Sequence, residues 1–461
     1  MDDRRLRLVL VAVGLSQICV TLDYWSLSVA LPPMSHDLHV STTDLQWAIS
    51  GYVLAFAAAL IAAGRLGDIF GRRRMLIGGA AVFGAASAVC GLSNGVGLLV
   101  GARAVQGIGA AALFPASMAV LVDAFPADRQ ARAIGIIVGI SGIGMALGPF
   151  VGGVLTETLS WRWIFFVNVP VAAGAIALVT TFVRESRDET ASRHVDLPGL
   201  LTVSGGIVAL TLAIDRGPGW GWGSVRIVGL LVASAVLLVG FVVLEHRVRA
   251  PLVPPALLRN RPLMVMSGAG LAGNFTFALA VFCVTLFLQQ VRGVSVMVAG
   301  VLFLPLSIGA AIGGPLSGKL SQRYELRTLM GAGLLLSAPG FAVFSASTGW
   351  PTYFVGASLV GLGLGLAYAA TNSGTLAVVP AAESGAASGF VTTALLVGAA
   401  LATTLTATLI EQLQHGHGAH AEGLAIEGVL RVGVVVALLG AAVLPLARER
   451  ARATRPEVAA T

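Results

Sequence analysis

The chain has 461 residues, of which 56% are hydrophobic and 11% charged, with a formal net charge of +7 and a mean hydropathy of +0.88. A soluble domain carries about 25% charged residues, so this composition excludes a water-soluble fold and defines an integral membrane protein. The basic excess sits in short loops and forms no soluble basic face, which excludes a nucleic-acid partner. The three cysteines, Cys19, Cys90 and Cys283, fall inside apolar runs and read as small buried hydrophobes.

The N-terminal Met1-Asp2-Asp3-Arg4-Arg5-Leu6-Arg7 and the apolar run behind it mimic a signal peptide. The run continues to about Leu31 without a small-x-small site, which predicts an uncleaved first helix. Fourteen apolar runs of membrane-crossing length follow one another. They lie near 7–31, 45–64, 75–93, 96–122, 132–155, 163–183, 197–214, 225–244, 262–288, 296–318, 327–346, 351–376, 386–410 and 428–447. The expected fold is all-α, with 14 transmembrane helices. Loops on one side carry 23 of the 29 basic residues; Arg162, Arg216, Arg226, Arg292 and Arg431 fall on the other, and Arg103 lies within a span. The positive-inside rule places both termini in the cytoplasm. On the outer side, Pro218-Gly219-Trp220-Gly221-Trp222-Gly223 reads as an interfacial aromatic anchor. The longest outer loop, 411–427, contains His415, His417 and His420. Three imidazoles at H-x-H-x-x-H can hold a metal, but the Gly/Ala-rich setting without Cys reads as a polar loop, and no metal or cofactor is expected.

Residues 64–68, Gly64-Arg65-Leu66-Gly67-Asp68, return after eight spans as Gly318-Lys319-Leu320-Ser321-Gln322. The repeat predicts an N-terminal six-helix bundle over 1–183, a linker with two extra helices over 184–260, and a C-terminal six-helix bundle with a short tail over 261–461. Paired repeats are the plan of secondary transporters, with the binding site near midplane where the halves meet.

In chain order, span one holds Leu22-Asp23-Tyr24-Trp25-Ser26-Leu27-Ser28-Val29-Ala30-Leu31-Pro32, and Asp23 reads as the one clear carboxylate deep in a span. A carboxyl group there can alternate between holding a proton and holding a cationic partner. Gln46-Trp47-Ala48-Ile49-Ser50-Gly51-Tyr52 opens span two. The following loop, 64–74, has glycines for close approach and turning, and Asp68 to pair with Arg72 or Arg73 or to meet a helix N-terminus. Its Asp/Gly spacing predicts a latch between the halves, whereas a purely topogenic loop explains the arginines alone. Span four carries Leu99-Val100-Gly101-Ala102-Arg103-Ala104-Val105-Gln106-Gly107. A charge at membrane depth costs about 2.5–3.5 kcal/mol, so Arg103 either has a partner such as Asp23 or snorkels to the outer interface. Span five carries Gly142-Ile143-Gly144-Met145-Ala146-Leu147-Gly148-Pro149-Phe150-Val151-Gly152-Gly153. Pro149 predicts a kink and the glycines a bare face for tight helix contact, able to seal part of a pathway. The second half has no carboxylate deep in its spans. Its polar midspan residues are Asn274, Gln289, Gln290, Asn372, Thr403, Thr404 and Thr406, each read as helix glue or as substrate contact.

These stretches resemble the major facilitator superfamily. Gly64, Leu66, Asp68, Gly71, Arg72, Arg73 and Leu76 match its signature loop between helices two and three, and Arg103, Gln106 and Gly107 match its span-four motif. The Gly144, Gly148, Pro149, Gly152 and Gly153 pattern resembles the motif of its antiporters. Asp23, Val29, Ala30, Leu31 and Pro32, with the span-two opening and Trp161-Arg162-Trp163-Ile164-Phe165-Phe166-Val167-Asn168-Val169-Pro170, resemble its fourteen-helix drug/proton antiporters. Trp25 and Ser28 depart from the Thr and Asn of that group. The resemblance implies two six-helix bundles plus two inserted helices, in a bacterial cytoplasmic membrane. It also implies a monomer that exchanges protons, through Asp23 and Arg103, for an amphipathic or hydrophobic small molecule. Trp25, Trp47, Tyr52, Asn274, Phe277, Gln289 and Asn372 are the candidate substrate contacts. A symporter or uniporter for a small metabolite is the alternative, and the span-five motif counts against it. With no phosphate loop, metal cluster at membrane depth or Ser/His/Asp arrangement, an enzyme or ATP-driven pump is not expected.

Overall fold

The computed structural model describes residues 3–40, 42–187, 196–248, 251–294, 296–346, 349–413 and 419–447. It is all-helical there. Helices α1 (Asp3–Leu38), α2 (Thr42–Phe70), α3 (Arg72–Gly91), α4 (Val96–Ala124), α5 (Ala127–Thr158), α6 (Trp163–Phe166) and α7 (Asn168–Phe182) form the first group. Helices α8 (Leu197–Trp220) and α9 (Val225–Glu245) follow, with the short α10 (Pro255–Arg259) after them. The last group is α11 (Arg261–Leu286), α12 (Val296–Leu302), α13 (Leu304–Leu320), α14 (Leu326–Ser345), α15 (Trp350–Ala377), α16 (Ser384–Leu413) and α17 (Ala419–Val443). Among the described residues 13 helices are long and apolar enough to cross a membrane, and the bent α5 brings the number to 14. The protein is a multi-pass membrane protein of two six-helix bundles with two inserted helices.

Helices outrun the apolar runs that announce them, because hydrogen bonding continues where polar residues end the hydropathy. The first run closes near Leu31, yet α1 continues to Leu38; the seventh closes at Ile214, yet α8 continues to Trp220. The outer loop expected over 411–427 is largely helical, since α16 reaches Leu413 and α17 starts at Ala419. His415 and His417 lie outside the described residues, as does the side chain of His420. Two spans are broken. One divides into α6 and α7 ahead of Pro170, the other into α12 and α13 at Phe303, ahead of Pro305. Each proline lacks the N–H that would carry the ladder through. Span five bends by 41° between Ala127–Met145 and Phe150–Thr158, where Pro149 removes a hydrogen bond.

Small residues set the packing, as expected where lipid removes the hydrophobic drive between helices. In the second bundle a Cβ on Gly361 would lie 1.9 Å from the Leu306 carbonyl, and one on Gly333 2.5 Å from that of Gly363. The inserted α8 packs on α9, on α2 of the first bundle and on α16 of the second. Helix α9 presents Val225, Val232, Val236 and Val239 outward as a lipid-facing surface.

Two seams join the bundles at the ends of the helices that carry the basic loops. On one, Gly64 of α2 meets Gly385 of α16, where an added Cβ would stand 2.3 Å from the Gly385 carbonyl. On the other, Gly135 of α5 meets Gly314 of α13 at 2.4 Å by the same measure. Beyond the seams, towards the opposite face, the bundles part around a cavity.

Candidate functional site

Asp68 sits at the first seam, fully buried, and its carboxylate joins the bundles. Its Oδ1 accepts from Arg72 Nη2 at 2.8 Å and Nε at 3.2 Å, and from the Gly385 backbone N–H at 3.2 Å. Its Oδ2 accepts from the Ala386 N–H at 2.8 Å. These two amides open α16, so a carboxylate of one bundle caps a helix N-terminus of the other. Arg72 also donates to Asp123 and, at 2.6 Å, to the Ala381 carbonyl just ahead of α16. Gly71 turns the chain at φ +113°, in the region that favours glycine. Glu185 accepts from the Arg73 N–H at 3.1 Å and lies 3.5 Å from Arg74 Nε. Both partners read for Asp68 from the sequence, an arginine and a helix N-terminus, are therefore present together.

Asp23 and Arg103 form a second charged cluster, inside the first bundle and wholly buried. Arg103 Nη1 donates to Asp23 Oδ2 at 2.5 Å and to Gln106 Oε1 at 2.7 Å, while its Nε donates to the Ala48 carbonyl at 3.1 Å. Asp23 Oδ1 accepts from Gln106 Nε2 at 3.0 Å and Asn168 Nδ2 at 2.7 Å. Gln106 Nε2 also donates to Ser87 Oγ at 2.6 Å. The guanidinium carbon lies 4.2 Å from the centre of the Tyr52 ring. Arg103 turns inward to this network; it does not snorkel. Gln106 and Asn168 stand in the quoted sequence stretches, but nothing local to them announces a shared partner on α1.

The cavity between the bundles has a volume of about 910 Å³ and mostly apolar walls. Of the candidate contacts, Trp25, Asn274, Phe277 and Gln289 line it, with Thr403 and Thr404. Asn274 Nδ2 donates to the Leu395 carbonyl at 2.6 Å, tying α11 to α16. Trp47, Tyr52 and Asn372 stand behind the wall. Trp47 stacks under Arg216, with ring centre and guanidinium carbon 3.9 Å apart. Tyr52 is covered by Arg103 and Tyr24. Asn372 donates back to the Tyr368 carbonyl of its own helix at 2.9 Å. The rotation of each helix decides this, and hydropathy does not report it.

Asp215 is the residue that sequence reading missed. It lines the cavity from α8 and accepts from Ser50 Oγ at 3.0 Å. The glycines of span five pack inside the first bundle, against α1. Added Cβ atoms would lie 2.2 Å from Thr21 Oγ1 at Gly144, 2.6 Å from Trp25 Cβ at Gly148 and 2.5 Å from the Ser26 carbonyl at Gly152. Gly153 is half-buried on the same helix. Since Thr21 and Trp25 line the cavity, this face closes its wall between α1 and α5.

Two helical bundles around a central cavity, closed at one end by close backbone seams, are the architecture of a secondary transporter. The sequence profile described as Major Facilitator Superfamily matches residues 13–403 and 265–460, and the chain belongs to that superfamily. It is 35% identical to the tetracenomycin C resistance and export protein of Streptomyces glaucescens, over 87% of this chain and 75% of that protein. It is 39% identical to the puromycin resistance protein pur8 of Streptomyces alboniger, over 87% and 81%. With the cephamycin export protein CmcT of Amycolatopsis lactamdurans the identity is 34%, over 97% and 94%. Among solved structures, the proton:xylose symporter XylE superposes with a TM-score of 0.66 at 14% identity, over 95% of this chain and 96% of that one. The human organic anion transporter MFSD10 superposes at 0.65, also at 14% identity, over 95% and 100%. These two likenesses concern the fold.

Proposed function

We propose that the protein is a proton-coupled antiporter that exports amphipathic or hydrophobic small molecules across a bacterial cytoplasmic membrane. Both termini and the 64–74 loop face the cytoplasm, where the positive-inside rule puts loops this basic. The latch at Asp68 then closes the cytoplasmic end, and the cavity faces outward. The relatives named for resistance and export support the direction of transport. A single chain suffices, with the bundle boundaries near 183 and 261, and no cofactor or nucleic acid takes part.

The observation that carries the proposal is the position of the Asp23–Arg103 cluster. It is buried beside the cavity, and α1 serves both: Asp23 faces the cluster while Thr21, Tyr24 and Trp25 line the cavity. Protonating Asp23 removes the charge that holds Arg103, Gln106 and Asn168 together. Rearrangement of that network moves the helix that contacts substrate. Proton and substrate thereby bias one two-state element, which is what coupling requires. The membrane potential supplies about 2.3 kcal/mol per charge per 100 mV.

The test is substrate-induced proton release in inverted vesicles, across cationic, neutral and anionic compounds. Asp23→Asn is expected to abolish substrate-dependent proton movement while the protein remains folded and able to bind substrate. Full proton release from the folded variant would refute the role of Asp23, leaving its bond to Arg103 a structural ion pair.

A further inference from the structure

The cavity has one charged lining residue among those described, and it is acidic. No Lys, Arg, His or Glu lines it, and Asp23 is walled off from it. Asp215 stands on α8, one of the two helices inserted between the bundles. Its side chain is 43% exposed, directed into the cavity space, whereas the neighbouring Arg216 is 13% exposed. Asp215 Oδ2 is occupied: Ser50 Oγ donates to it, and Arg216 Nε lies 3.2 Å away without hydrogen-bond geometry. Its Oδ1 accepts no hydrogen bond among the described residues. The Arg216 guanidinium is instead drawn over the Trp47 ring, outside the cavity. Ser50 and Arg216 thus steady one oxygen of Asp215, and the other oxygen faces the space a substrate would fill.

The surroundings suit a cation. Tyr24, Trp25, Phe277 and Tyr368 place aromatic side chains in the wall, and an aromatic face attracts a cation as a carboxylate does. Between mostly apolar walls a carboxylate attracts a cation more strongly than it would in bulk water. At this point α8 is tied to a helix of each bundle. Ser50 of α2 holds Asp215, and Thr404 Oγ1 of α16 donates to the Ile214 carbonyl at 3.0 Å. The carboxylate is therefore held at a fixed place between the bundles.

We propose that Asp215 is the charge-selecting residue of the cavity, and that the molecules taken there are amphipathic cations with an aromatic or branched apolar body. The inserted helices then contribute directly to recognition, beyond spacing the two bundles. This assignment rests on the reading of the protein as an exporter of small molecules.

The test uses three probes on the purified full chain: tetraphenylphosphonium, its isosteric anion tetraphenylborate, and uncharged chloramphenicol. Wild type is expected to bind the cation at least about tenfold more tightly than the anion, the effect of one retained charge contact. Asp215→Asn is expected to remove that preference, chiefly by weakening the cation, and Asp215→Glu to restore it. Equal weakening of all three probes in Asp215→Asn would overturn the proposal, as would an unchanged cation affinity. If the Asn variant does not fold, the wild-type ratio alone decides, and a wild type indifferent to the sign of charge overturns the assignment. In that case binding with transport of chloramphenicol would leave the exporter reading standing. Neither binding nor transport of any probe would remove both.

Discussion

Replacing Asp68 by Asn removes the charge from the seam between the bundles and leaves one oxygen where two accepted. Four hydrogen bonds reach Asp68, two from Arg72 in its own bundle and two from the amides of Gly385 and Ala386 in the other. Only the second pair depends on the proposed latch being shut. A hydrogen bond to a charged group contributes about 1.5–3 kcal/mol, and a carboxylate at a helix N-terminus adds about 0.3–1 kcal/mol. The Asn oxygen still accepts from one amide, so the net loss across the seam is about 2–3 kcal/mol. That shifts the ratio of closed to open latch roughly 30- to 150-fold. Arg72 keeps Asp123 and the Ala381 carbonyl, so the variant is expected to fold. The shift can be read by maleimide labelling of Ser388→Cys. Ser388 is buried, about one turn beyond Gly385 on α16, and the three native cysteines are themselves buried, so their background labelling is read from the Asp68→Asn variant without the added cysteine. Faster labelling in the Asp68→Asn background is the expected result. An unchanged rate in a folded, monodisperse variant would refute the reasoning, because the seam would then be held by backbone packing without help from the carboxylate.

A methyl group at Gly148 would lie 2.6 Å from Trp25 Cβ. Gly148→Ala is therefore expected to push α1 and α5 apart, lowering stability by about 1–3 kcal/mol and weakening ligand binding through the displaced Trp25; thermal unfolding and a binding titration on the same sample read both effects. Near the opposite face, Arg162 donates to Asp37 at 2.6 Å and the Trp161 indole N–H at 3.0 Å, and these bonds hold the Asp37 carboxyl below its usual range. Since the folded-state pKa is the lower one, the stabilisation is present above the unfolded value of about 3.9 and is lost as pH falls through the folded value. Asp37→Asn should lower the melting temperature at neutral pH modestly, the pair being partly exposed, and abolish that part of its acid dependence below about pH 4, so that variant and wild type converge at low pH.

Charged residues in apolar surroundings were legible from sequence because an unpaired charge at membrane depth is too costly to leave without a partner. Asp23, Arg103 and Asp68 announce themselves in this way, and all three form ion pairs or capping bonds. Their polar partners were not legible. Gln106, Asn168 and Ser87 come from three helices, and only packing brings them to Asp23. The same limit applies to Trp47, Tyr52 and Asn372, whose chemistry suits a binding site but whose helices turn them away from it. Asp215 escaped for a different reason. Hydropathy ends the seventh run at Ile214, since an Asp-Arg pair follows, while the backbone continues as helix to Trp220. A carboxylate that reads as the end of a span thus becomes part of the cavity wall.

The repeated loop shows where the two bundles differ. In the second copy Gly318 still presses on the first turns of α5, with an added Cβ 2.6 Å from Arg132 Cα. Close approach is kept, but Gln322 replaces the carboxylate and lies beyond the end of α13. The α5–α13 seam therefore closes by small-residue contact, and the α2–α16 seam closes by contact and charge. The same α2 provides the Ala48 carbonyl and the Tyr52 ring to Arg103, lines the cavity with Ile49, Ser50, Val53 and Leu54, and receives Ser204 of α8 at the Ala58 carbonyl. From Ala48 to Asp68 it spans about 30 Å as one continuous helix. A rigid element that touches the buried ion pair at one end and the charged seam at the other needs no chain of side chains to couple them. Under the proposed coupling, a tilt of α2 that accommodates a protonated Asp23 would also shift Gly64 and Asp68 against α16. The charged seam thus lies at the end of the helix best placed to respond to the Asp23–Arg103 cluster under the proposed coupling, and the uncharged seam at α5–α13 can serve as the pivot.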